Sequence, residues 1–110
     1  MNITFKNKKL MEYANDAKAR NKDLGVIRAK LYFKRVSDLG KVRTLEDVRN
    51  LPGHFHELVG DRKGQWACDL DQPNRLIFTP HEEPIPRNKD GQYIWIEIRG
   101  VEILEIQDYH

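Results

Sequence analysis

The chain has 110 residues, 39% hydrophobic and 33% charged, with a single cysteine. That length gives room for one core, so a single domain over residues 1–110 is expected, and the apolar share argues against disorder. No apolar run approaches the ~20 residues that cross a bilayer. The opening Met1-Asn2-Ile3-Thr4-Phe5 lacks the apolar segment of a secretion signal, and a lone Cys68 fits a reducing compartment. A cytoplasmic protein with no membrane partner is expected.

Net charge is +2, but it is unevenly placed. Residues 1–50 carry thirteen Lys/Arg against six Asp/Glu, and residues 51–110 carry six against eleven. Such asymmetry fits either contact with nucleic acid or a solvated helical face.

In chain order, Ile3-Thr4-Phe5 reads as a short strand. From Lys8 to Ala19 the pattern is helical, with Leu10, Ala14 and Ala17 on one face, followed by a polar break from Asn21 to Gly25. A second helix is predicted over Val26–Leu39, with Ile27, Leu31 and Val36 inward and Arg28, Lys30, Lys34 and Arg35 on a basic outer face. Gly40 supplies its stop. Thr44 can cap a short third segment that runs to Asn50, with Glu46 and Asp47 in its first turn.

After Pro52-Gly53 the pattern changes to strands: Phe55–Leu58, Trp66–Leu70, Arg75–Thr79, Tyr93–Ile98 and Val101–Ile106. Residues 80–92 hold three prolines and several charges and read as a long exposed connection. The order predicts an α+β fold, with an N-terminal strand and two to three helices packed on one face of a twisted, mainly antiparallel sheet. Alternation leaves the other sheet face partly polar and open to a ligand.

A Gly-rich phosphate loop, paired CxxC and HExxH are all absent from the sequence. His54 and His56 lie two apart, but a metal would need further ligands such as Asp61 or His110, so neither metal nor other cofactor is expected. Ser37, the only serine, falls inside a helix, which leaves a serine triad without support. The remaining groups suit metal-free RNA cleavage. That chemistry needs a base for the 2′-OH, cations for the developing charge on phosphorus, and an acid for the leaving 5′-oxygen. Histidine titrates near neutrality, arginine and lysine clamp phosphate, and tyrosine can stack on a base. His56, Arg62, Lys63, Arg75, Tyr109 and His110 supply these types.

Two stretches carry a resemblance. His56-Glu57-Leu58-Val59-Gly60-Asp61-Arg62-Lys63-Gly64-Gln65-Trp66 resembles the H-x-L-x-G-D-[RK]-x-G-x-W segment of HigB-type toxins of the RelE/ParE superfamily, and Asn74-Arg75-Leu76-Ile77-Phe78 resembles the strand that follows it. The chain also closes on Asp108-Tyr109-His110, as many HigB proteins do. The resemblance implies a RelE-like fold and the toxin of a type II toxin–antitoxin system: a ribosome-dependent, metal-independent mRNA endonuclease. It implies a catalytic group of His56, Asp108, Tyr109 and His110, with Arg75, Lys63 and Arg62 as phosphate or RNA contacts. It also implies a helix-turn-helix antitoxin of the HigA kind, the 70S ribosome and A-site mRNA as partners. The alternatives are a ParE-like gyrase inhibitor, or a degenerate toxin kept as an antitoxin-binding partner. Two departures bear on activity. Val59 stands where some HigB toxins have lysine, a charge that Lys63 or Arg62 would have to replace, and the 81–92 segment is longer than usual.

Overall fold

The computed structural model describes residues 1–108. Strand β1 (Asn2–Phe5) leads into three helices, α1 (Lys8–Asn15), α2 (Ala17–Leu24) and α3 (Val26–Lys41), and then a 3-10 turn at Leu45–Asn50. Strands β2 (His56–Glu57), β3 (Trp66–Asp69), β4 (Asn74–Pro80) and β5 (Gly100–Asp108) complete one sheet of order β1-β5-β4-β3-β2. Among the described residues only the β1–β5 pairing is parallel. The expected α+β architecture is therefore present.

Asp16 accounts for a difference in the helices. One helix was expected over Lys8–Ala19, but its run stops at Asp16, whose carboxylate accepts from the amides of Lys18 and Ala19 at 3.0 and 3.2 Å. An aspartate is a better cap than a helix-interior residue, so the chain starts a new helix there. That second helix occupies the stretch expected as a polar break and ends at Gly25, whose φ of +82° suits glycine.

In α3 the inward stripe is Ala29, Tyr32, Arg35 and Leu39, all buried, and the Tyr32 hydroxyl donates to the Leu10 carbonyl at 2.6 Å. Ile27 lies about 200° around the helix from Ala29 and is exposed, contrary to expectation. Arg35 was expected outside and is inside. Arg28 forms a two-point pair with Asp71, and Lys34 pairs with Asp38. The continuous basic face is therefore broken up.

The main core lies between the helices and one sheet face, built on Tyr32, Leu39, Trp66, Leu76, Phe78 and Ile103. Cys68 belongs to it, and burial pushes its thiol well above the ordinary range, as suits a small core residue. A second, smaller cluster of Leu58, Ala67, Ile77 and Leu104 lies on the opposite face. A register shift between Ile77 and Phe78 explains how consecutive Ile103 and Leu104 serve different clusters: Leu104 is the extra residue of a bulge.

The predicted strand Tyr93–Ile98 does not form. Trp95–Glu97 is a 3-10 turn, and Tyr93 makes only an isolated bridge with Arg87. Trp95 and Ile98 are buried three residues apart while Ile96 and Glu97 face water, a spacing that a turn satisfies and a strand does not. Trp95 meets Trp66 edge to face, ring centres 5.4 Å apart, so aromatic burial decides the path of the connection.

Candidate active site on the open sheet face

Strand alternation sorts the side chains. Trp66, Cys68, Leu76 and Phe78 enter the helix-side core, so Ala67, Asp69, Arg75 and Ile77 belong to the open face. Register adds His56 opposite Ala67, and Gln107 opposite Arg75. The Arg75 guanidinium donates to Gln107 Oε1 at 2.8 Å. His54, His56, Asp69 and Arg75, with the Gln72–Asn74 turn, line a cleft of about 240 Å³.

His56 is held by its own chain. Its Nδ1 lies 2.8 Å from the His54 carbonyl oxygen. A carbonyl only accepts, so Nδ1 must carry the proton and donate. In the neutral ring Nε2 is then left with a lone pair, the form a proton acceptor needs. The His54 ring stacks on it, centres 4.2 Å apart and planes at 20°, and His54 Nδ1 lies 3.6 Å from Asp69 Oδ2. His54 has φ of +55°, a backbone conformation that histidine visits only when its surroundings hold it there. Composition and spacing gave no reason to choose Asp69 or Gln107, which become visible only through register, and they offered His54 only as a metal ligand beside His56.

The other expected residues are distributed as follows. Asp108 ends β5 opposite Asn74, and its charge acts on Arg28 on the helix side. The neighbouring Asp71 carboxyl is held below the usual range, chiefly by the hydrogen bonds from Arg28. Tyr109 and His110 lie outside the described residues. Arg62 stays on the open face, where it donates to Glu105 at 3.1 Å and to Gln65 at 2.9 Å. Lys63 is elsewhere: its ammonium is 5.9 Å from the Tyr93 ring, in a separate concavity of about 620 Å³ with Arg49, Glu57 and Trp95. A third concavity, of about 600 Å³, lies around Met1, Arg43 and Arg99, and among the described residues neither of these two has a histidine in its lining. Val59 is 84% exposed, so its position is a surface one. Among the described residues no group of three or more His, Cys, Asp or Glu side chains could hold a metal ion.

Much of the long motif has a structural duty. Gly60 and Gly64 both have positive φ, and a Cβ on Gly64 would sit 3.1 Å from Ile85 Cδ1. Leu58 and Trp66 fill the two clusters. The loop between them crosses the open face, because Arg62 reaches Glu105 over β3 and β4.

No family model matches this chain, and no curated protein does. Among solved structures it is similar to a YoeB/ParE toxin from Agrobacterium tumefaciens, with a TM-score of 0.53, 12% identity and 100% of each chain covered. At that identity the likeness is one of architecture, and it runs from end to end: the chain has a RelE/ParE-type toxin fold.

Proposed function

We propose that this protein is the toxin of a type II toxin–antitoxin system, of the HigB kind, and that it cleaves mRNA in the ribosomal A site without a metal. The observation that carries the reading is one cleft that holds His56, with its Nε2 lone pair, beside Arg75. His56 Nε2 takes the proton of the 2′-OH, and the freed oxygen attacks phosphorus. The bond to the 5′-oxygen breaks, and the products are a 2′,3′-cyclic phosphate and a 5′-hydroxyl. Arg75 offsets the added charge on the phosphorane. His110, outside the described residues, returns a proton to the 5′-oxygen, with Tyr109 against the substrate base and Asp108 orienting the chain end. Lys63, in its separate concavity, and Arg62, paired with Glu105, act as peripheral RNA contacts. A helix-turn-helix antitoxin is the proposed partner that silences the activity.

The test is translation of a defined mRNA with purified protein, read by primer extension. Cleavage at codon positions only when ribosomes are present, lost in His56→Ala and Arg75→Ala, is the expected result. Intact mRNA would sink the reading. A second reading, gyrase inhibition, is favoured by the ParE half of the neighbour's name. Loss of DNA supercoiling activity with mRNA intact would establish it instead.

A further inference from the structure

We propose that Arg35 is a positioning residue for the cleft: its buried guanidinium, seated against Gly53, ties the 52–56 segment to the end of β3 and so presets the His56 imidazole. The inference rests on the reading of His56 as a working group. Arg35 projects from α3 on the same stripe as Ala29, Tyr32 and Leu39 and is 9% exposed. Its Nε donates to the Asp69 carbonyl at 2.8 Å, and its Nη1 to the Pro52 carbonyl at 3.4 Å. These two acceptors lie on different segments, and both segments line the cleft.

Gly53 makes the seat. Its φ is +114°, and a Cβ there would fall 2.6 Å from both Cζ and Nε of Arg35, so a larger residue would be strained and would push the guanidinium from its seat. The Gly53 carbonyl accepts from the Asp69 amide at 2.8 Å. Asp69 therefore gives its N–H to the turn, its C=O to Arg35, and its carboxylate to His54. The His54 carbonyl in turn receives the His56 Nδ1 proton. The three backbone links are short, each 2.8 Å, and the Asp69–His54 approach is longer at 3.6 Å, so the position of Arg35 reaches His56 chiefly through the Gly53 and His54 backbone. A buried cation carries a desolvation cost that an apolar side chain of similar volume would avoid. What an apolar side chain could not do is hold two carbonyls from separate segments at once.

The test uses the full chain labelled with 15N. The imidazole nitrogens of His56 are recorded together with single-turnover mRNA cleavage on the ribosome. Arg35→Lys keeps the charge and loses the fork. It is expected to fold, to shift the His56 Nδ1 resonance away from its carbonyl-bonded value, and to lower the cleavage rate on the order of a hundredfold with little change in KM. Lys30→Ala, on the exposed side of α3, should move neither readout. A folded Arg35→Lys in which either the His56 resonance or the rate is unchanged overturns the proposal. Should that variant not fold, exchange of the Arg35 Nε proton in the unmodified chain decides. Protection well beyond that of exposed arginines is expected, and exchange as fast as theirs overturns the proposal. If the unmodified protein cleaves no mRNA, the functional reading falls, and the His56 resonance alone decides whether Arg35 positions it.

Discussion

The two faces of the sheet are built on opposite principles. The helix side is dry and large: Trp66, Tyr32, Phe78 and Leu76 are fully buried there. The open side has a small apolar centre, Leu58, Ala67 and Ile77, bordered by charge: Arg62 with Glu105, and Arg75 with Gln107 beside His56 and Asp69. One face supplies the stability, and this frees the other to keep polar groups in wet or half-wet positions where they can meet a ligand. Stability and activity should therefore separate by face.

The largest single loss of stability lies on the helix side. Trp66→Ala is expected to cost about 3–5 kcal/mol, a large part of the ~5–15 kcal/mol typical of a whole domain. Urea unfolding followed by tryptophan-independent circular dichroism measures it. A loss below ~1 kcal/mol would mean that the core is not where the buried side chains place it. On the open side His56→Ala and Arg75→Ala should behave in the opposite way. Each should lower cleavage by about 10²–10⁴-fold, while stability changes by roughly 1 kcal/mol or less. An unfolded Arg75→Ala would show that this strand residue is structural first.

Between the faces lies the Arg28–Asp71 pair, which joins α3 to the turn before β4. The Asp71 carboxyl is depressed in the folded chain, chiefly by its hydrogen bonds to Arg28. Its contribution is therefore present above the unfolded carboxyl pKa and is lost as pH falls through the lower folded value. Asp71→Asn should cost up to about 1 kcal/mol at neutral pH, and the difference from the unmodified protein should vanish in strong acid. Paired unfolding curves at neutral and low pH check it. A difference that persists in acid would mean that the turn is held by something other than the charge.

How much of this was legible in the sequence follows from the range of the interactions. Period and punctuation are local, so β1, α3, the Thr44 cap and strands β2 to β5 were readable, as was the packing of the helices on one face of the sheet. The capping role of Asp16 was readable in principle, but helical spacing on either side masked it. The inward turn of Arg35 was not readable, because its partners are carbonyls more than fifteen residues away, and a carbonyl leaves no mark in a sequence. The turn at Trp95 depends on Trp66, also a distant contact. In the candidate site, His56 and Arg75 were legible from the resemblance, and they do line one cleft. Asp69 and Gln107 required register, the stacking of His54 on His56 depends on the turn before β2, and Lys63 was drawn to Tyr93 by a contact with the 81–99 connection that no local pattern encodes.

Within the open face the charged contacts contribute less than the apolar ones. The loop over that face is fastened twice, by Leu58 in the apolar cluster and by the Arg62–Glu105 pair, whose side chains are 31% and 43% exposed. A half-exposed pair of this kind is worth about 0.2–1 kcal/mol and weakens with salt. A double-mutant cycle on Arg62→Ala and Glu105→Ala, run at low and high salt, measures the pair directly. A salt-sensitive coupling under ~1 kcal/mol is expected. A coupling of several kcal/mol, indifferent to salt, would place the clamp in the charges, and the open face would then carry as much of the stability as the face the helices cover.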